Sequence, residues 1–296
     1  MLGKIKSKSI LKMIFEYLKK KSKLKIVKYN KNLQNKLNIN KKDFNDYKLL
    51  KELNKKFNIN IKDTNIVDLY VKRKRNINKI LEIISNIEFN KLQRLCLNYN
   101  NISNINILEK FNFKELILLN ISNNNISNIN ILEKFNFKEL IALNLSHNNI
   151  SNIKVLENVI FKELKYLDLS YNNISDIQVL EKVNFKELLI LSLNKNNIEE
   201  INVLGKVNFK KLNELNLSYN IITDIQVLEK VNFKELKILD LVGNEISDIK
   251  VLEKVKFEKL EKLYLNWNIY SKIDELTIPN LNNKIIGVNV LGTFRF

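Results

Sequence analysis

The chain has 296 residues, 45% of them hydrophobic, and a formal net charge of +18. That is enough apolar material for a large core, yet no apolar run is long enough for a membrane-spanning helix. A single cysteine, Cys96, excludes an intrachain disulfide, and a single histidine, His147, leaves no Cys and His set for zinc, so no metal and no cofactor are expected.

The charge is uneven: residues 1–88 hold 24 Lys/Arg against 8 Asp/Glu, and residues 89–296 hold 26 against 24. A basic amino-terminal segment can meet nucleic acid, an acidic protein or an anionic membrane. The whole chain, however, is crowded with Lys, Asn and Ile, as an AT-rich coding sequence produces, and no Arg-rich cluster with interleaved aromatics is evident. Nucleic acid is therefore not the expected partner. A dense basic run is Lys72, Arg73, Lys74, Arg75. Lysines flank and interrupt the apolar cluster of the first 25 residues, unlike a signal peptide, which makes a cytoplasmic location the expectation.

Residues 1–75 read as a basic helical region. Ile10, Leu11, Ile14, Phe15 and Leu18 share one helical face after the cap-competent Ser9; Leu24, Val27, Leu33 and Leu37 suggest a second helix, and Phe44, Tyr47, Leu50 and Phe57 a third. The Ile-Leu-x-x-Ile-Phe-x-x-Leu run within residues 10–27 resembles an F-box. That resemblance implies a Skp1-type adaptor held by residues 9–38. The alternative is a plain helical cap on the remainder of the chain.

Residues 76–296 read as a solenoid. Phe89, Phe113, Phe137, Phe161, Phe185, Phe209, Phe233 and Phe257 recur every 24 residues, so eight full repeats start at residue 89. One unit runs Leu164, Leu167, Leu169, Asn172, Ile174, Ile177, Leu180 and Val183. A unit this short cannot bury its own apolar face, so the copies must stack. Leu81, Ile84 and Ile87 lie one period before Ile105, Leu108 and Phe111, which makes residues 76–88 a degenerate capping coil. Residues 277–296, with Ile285, Ile286, Val288 and Val290, are expected to cap the other end. Residues 101–117 repeat as 125–141 without change, and 176–188 as 224–236, so the copies duplicated recently.

The pattern Leu-x-x-Leu-x-Leu-x-x-Asn-x-Ile-x-x-Ile-x-x-Leu resembles the leucine-rich repeat family, and its second half the SDS22-like and internalin-like class. The match runs from residue 89 to about 276, with a period two residues longer than that class usually has. The resemblance implies an α/β leucine-rich repeat solenoid: a curved parallel sheet with short helical turns on its convex side. Alternation at Leu167 and Leu169 is itself the signature of a strand with one buried face. The structural ladder is Asn100, Asn124, Asn148, Asn172, Asn196, Asn220, Asn244 and Asn268. An amide there can both donate to and accept from backbone groups of neighbouring coils. Asp176 and its counterparts can cap the short helical turn.

Between these frame positions the copies diverge in three outward columns on the concave face. The residues before the ladder are Tyr99, Asn123, His147, Tyr171, Lys195, Tyr219, Gly243 and Trp267; those between the strand leucines are Cys96, Asn120, Asn144, Asp168, Ser192, Asn216, Asp240 and Tyr264. The third column is Arg94, Leu118, Ala142, Tyr166, Ile190, Glu214, Ile238 and Lys262. Exposed Tyr and Trp are rich in binding energy at interfaces. The expected partner site is therefore Tyr99, His147, Tyr166, Asp168, Tyr171, Lys195, Glu214, Tyr219, Asp240, Tyr264 and Trp267.

No catalytic residue is assigned. His147 and Cys96 fall two coils apart, roughly 10 Å at ~4.8 Å per strand, beyond the hydrogen-bond reach of a nucleophile and its base. Asp168 and Asp240 are three coils apart, and the five glycines form no phosphate loop. The expected function is a non-enzymatic, monomeric protein-binding scaffold. The alternatives are an F-box-like substrate receptor of a ubiquitin ligase and a phosphatase regulator of the SDS22-like type.

Overall fold

The computed structural model describes residues 31–37, 41–59, 61, 66–89, 91–111, 113–255 and 257–269. The F-box-like run and the expected cap at 277–296 lie outside these residues. Among the described residues no helix is long and apolar enough to cross a membrane.

Nine parallel three-residue strands form one sheet in strict chain order. They are β1 Asp68–Tyr70, β2 Arg94–Cys96, β3 Leu118–Asn120, β4 Ala142–Asn144, β5 Tyr166–Asp168, β6 Ile190–Ser192, β7 Glu214–Asn216, β8 Ile238–Asp240 and β9 Lys262–Tyr264. The central leucine of each strand faces its counterpart, as Leu167 faces Leu143 and Leu191. From β2 onward the register advances by one repeat per strand, so every apolar position meets its own copy.

The return segments carry short 3-10 turns, for example Gln178–Glu181. Asp176 Oδ1 accepts from the Gln178 N–H at 2.8 Å, and Asn104, Asn128, Asn152, Asp224 and Asp248 do the same two residues on. This local bond turns the chain at the expected capping position. Lysines and glutamates of successive turns pair across coils, as Lys182 with Glu157 at 3.2 Å and Lys206 with Glu181 at 3.3 Å. These pairs are exposed and add little stability.

Between sheet and turns runs one continuous core. The eight recurring phenylalanines are all buried, and Phe137, Phe161, Phe185 and Phe209 are no more than 2% exposed. Their rings follow one another along the stack, with centroids of Phe137 and Phe161 at 5.8 Å and of Phe161 and Phe185 at 6.2 Å. Burying each such ring contributes roughly 1.5–3 kcal/mol before conformational entropy is subtracted.

The amide ladder is bonded as its chemistry requires. Asn172 Nδ2 donates to the carbonyls of Leu145, Leu169 and Ser170 at 3.0–3.1 Å, and its Oδ1 accepts from Ile150 N–H at 3.0 Å. The next rung, Asn196, repeats this on Leu169, Leu193 and Ile174. Each amide therefore ties two coils together.

The solenoid starts earlier than its repeats suggest. Strand β1 pairs in register with β2, Asp68 facing Arg94, an offset of 26 residues rather than 24. The boundary expected between residues 75 and 76 falls inside this first coil, between its strand and helix α3, Ile77–Ile84. Two extra residues conceal the period, and they let Ile77, Ile80, Leu81 and Ile84 close a true α-helix where later coils make a 3-10 turn. Before it come α1, Lys31–Leu37, and α2, Lys41–Phe57. Leu50 and Leu53 of α2 join the same core cluster as Ile80 and Leu81, so α2 covers the end of the stack.

Candidate functional site

The column before the ladder differs from an ordinary strand position. Tyr99, Asn123, His147, Tyr171, Lys195, Tyr219 and Trp267 all have φ between 52° and 58°, and Gly243 has φ 64°. The cause is local: the chain leaves the strand and must turn at once so that the next side chain, the ladder amide, points inward. A left-handed residue makes that corner. It also throws its side chain along the edge of the sheet toward the same residue of the next coil.

The side chains consequently form a row. The His147 and Tyr171 rings stack with centroids at 3.9 Å and planes at 15°. Lys195 Nζ lies 5.1 Å from the Tyr171 centroid and 4.8 Å from that of Tyr219, a cation held between two rings. Tyr219 meets Trp267 edge-on at 5.9 Å. These two are separated by a coil, and Gly243 permits the contact: a Cβ there would stand 2.7 Å from Tyr219 Cδ1. Tyr171, Tyr219 and Trp267 remain 39%, 38% and 67% exposed.

The second column is largely occupied with its own backbone. Asp168 Oδ1 accepts from Ser170 N–H at 3.0 Å and Ser170 Oγ at 2.6 Å, and Asn120, Asn144 and Asn216 do the same with Ser122, Ser146 and Ser218. Asp240 Oδ1 accepts from Val242 N–H at 3.0 Å. Asp168 and Asp240 thus hold the strand-to-turn corner before they can hold a partner. Cys96 is buried, and burial pushes its thiol up from the ordinary range.

Asp240 is half-buried, and that desolvation raises its carboxyl above the usual carboxylate range against the lowering effect of the Val242 N–H. Ionisation of this carboxyl is therefore less favourable in the fold than in the unfolded chain. Its ionised form costs stability at neutral pH, and the cost is relieved as pH falls through the raised folded value. Asp240→Asn keeps the acceptor, as Asn216 does one coil earlier. Urea unfolding is expected to show a gain at pH 7 that vanishes as pH falls below the unfolded carboxylate range.

In the first-strand column, Tyr166 stands 43% exposed and is flanked by half-buried Leu118, Ala142 and Ile190. Together with Asn120, Asn144, Asp168 and Ser192 they line a shallow depression of about 280 Å³ on the open face of the sheet. Leu118, Ala142 and Ile190 were not among the expected contact residues. Their signal was aliphatic side chains at outward strand positions. Glu214 is half-buried between Ile190 and Ile238 in register, and Tyr264 is half-buried on β9 facing Asp240.

Among the described residues no group of three or more His, Cys, Asp or Glu side chains gathers as a metal site would. The exposed tyrosines and tryptophan among them, Tyr70, Tyr99, Tyr166, Tyr171, Tyr219 and Trp267, lie on the strands or on the corner that follows.

Strand, ladder and 3-10 return define a leucine-rich repeat solenoid, and residues 163–182 match the Leucine Rich Repeat family model. A comparison with curated proteins finds no match. Among solved structures, the fold is similar to a leucine-rich repeat protein of Leptospira interrogans, at 22% identity and a TM-score of 0.59 over 74% of this chain and 59% of that one. It is also similar to internalin C2 of Listeria monocytogenes, at 23% identity and 0.57 over 74% and 92%. A plant peptide hormone receptor, RGFR1 in complex with RGF2, aligns at 22% identity and 0.50 over 68% and 32%. The chain thus spans 59% of the Leptospira protein's length and about a third of the receptor's.

Proposed function

We propose that this chain is a non-enzymatic scaffold that binds a protein partner across the open face of its sheet. The partner would lie on the depression around Tyr166 and along the row from His147 to Trp267. The observation that carries this reading is the left-handed row itself. That conformation costs an L-residue roughly 1–2 kcal/mol, and only Gly, Asn and Asp adopt it with ease. Gly243 shows that glycine fits, yet Tyr99, His147, Tyr171, Lys195, Tyr219 and Trp267 occupy the same corner. Backbone conformation alone favours glycine there, so the large side chains answer to something else, and contact with a partner is what such groups supply. The receptor of similar fold solved with RGF2 supports a peptide or protein as the ligand class.

The test is affinity capture from a cell extract with the intact chain and with a Tyr166→Ser, Ile190→Ser variant, both positions facing outward. A protein held by the first and lost by the second is the expected result. Identical captured sets would remove the sheet face from consideration.

A further inference from the structure

The basic run at residues 72–75 lies at the amino-terminal end of the sheet, away from the surface just assigned. In sequence its only aromatic neighbour is Tyr70. The fold adds a second, because Tyr99 of the next coil comes alongside: the Arg73 guanidinium lies 5.6 Å from the Tyr99 centroid, and Lys72 Nζ lies 6.0 Å from that of Tyr70. Both rings stay open to solvent, Tyr70 at 53% and Tyr99 at 48%.

The run is held in place by its own backbone and by one lysine. Arg73 N–H donates to Tyr99 O at 2.9 Å, and Lys74 N–H donates to Asn100 Oδ1 at 2.9 Å. Lys74 Nζ donates to the carbonyls of Phe57 and Asn58, each at 3.1 Å, where α2 ends. A cation is favoured on those carbonyls, so Lys74 is structural. Lys72, Arg73 and Arg75 remain exposed, and the last turn of α2 brings Lys55 and Lys56 to the same end. The acid of β1, Asp68, is already taken: Arg94 holds it by two bonds, at 2.6 and 2.9 Å, and keeps its carboxyl below the usual range.

We propose that this first coil binds single-stranded nucleic acid, with Lys72, Arg73 and Arg75 at the phosphates and Tyr70 and Tyr99 as stacking surfaces for bases. An acidic peptide would use the cations and leave the rings idle. A duplex keeps its base faces in its own stack. A membrane would need exposed aliphatic side chains to insert, and of the large aliphatic residues around the run, among the described residues, only Val67 is exposed. Rings interleaved with cations suit a strand that alternates base and phosphate.

Fluorescence anisotropy with the full chain and a labelled oligouridylate of about 15 nucleotides tests this. Inorganic polyphosphate and phosphatidylserine vesicles serve as the other two probes. Lys72→Gln, Arg73→Gln, Arg75→Gln combined is expected to weaken oligonucleotide binding at least tenfold and to flatten the log-affinity against log-salt slope by about 2. Tyr70→Ser with Tyr99→Ser is expected to weaken it about tenfold, with the slope and polyphosphate binding unchanged. Residues 1–30 carry further lysines in every variant, so the differences isolate the coil. Thermal unfolding confirms that both variants fold. The proposal is overturned if the charge variant binds like the parent, if the tyrosine variant loses nothing, or if vesicles bind more tightly than the oligonucleotide. None of these outcomes bears on the Tyr166 and Ile190 capture experiment.

Discussion

Replacing Asn172 with alanine is expected to lower stability by about 2–4 kcal/mol, measured by urea unfolding. The amide sits at the middle of the stack, 8% exposed, and serves both the coil it belongs to and the one before. Its loss leaves the buried Ile150 N–H without its acceptor, and an unpaired buried donor costs about 1–3 kcal/mol by itself. The carbonyls suffer less, because Leu145 O keeps its bond from Asn148 and Leu169 O keeps its bond from Asn196. The same change at Asn268, partly exposed at the last described coil, should cost clearly less. Asn172→Asp is the sharper test. It keeps the acceptor for Ile150 but aims a carboxylate at three carbonyls, and should destabilise at least as much as alanine. Equal stability of parent and both variants would refute the ladder as a structural device.

Changing Tyr171 and Tyr219 together to glycine is expected to cut partner affinity by at least about 100-fold while stability stays within about 1 kcal/mol. Two effects offset each other in the fold. Glycine relieves the left-handed corner at φ 53° and 54°, and the Lys195 ammonium loses the two rings that bracket it. Neither side chain belongs to the buried core. The binding effect has nothing to offset it, since the two rings hold the row together from His147 to Trp267. Alanine at the same positions removes the rings without relieving the corner, so the glycine pair should be the more stable of the two by roughly 1 kcal/mol or more in urea unfolding. A glycine pair that binds as tightly as the parent would show that the row is ornament on the sheet edge.

The frame of this protein was legible in the chain because each frame residue does a local job repeated every 24 positions. Leu167 and Leu169 alternate, Asn172 follows, Asp176 turns the chain, and Phe185 opens the next copy; each lies where the pattern placed it. The first coil was the exception. Its two additional residues hid β1, although Asp68 pairs with Arg94 as any other rung does. The outward columns were legible as positions and not as roles. Asp168 and Asp240 were legible as outward positions, and that their Oδ1 atoms also close the corners at Ser170 and Val242 was not. Leu118, Ala142 and Ile190 stood in an outward column without being expected as contacts, yet with Tyr166 they line the depression on the open face.

The amino-acid order by itself determined the period, the inward leucines, the amide ladder and which residues face out, since each follows from spacing along a single coil. Stacking alone decided the rest. It placed His147 on Tyr171, put Lys195 between two rings, let Tyr219 reach Trp267 across Gly243, and brought Tyr99 beside Arg73. These partners are 24 or more residues apart and become neighbours only when one coil lies a strand's width from the next.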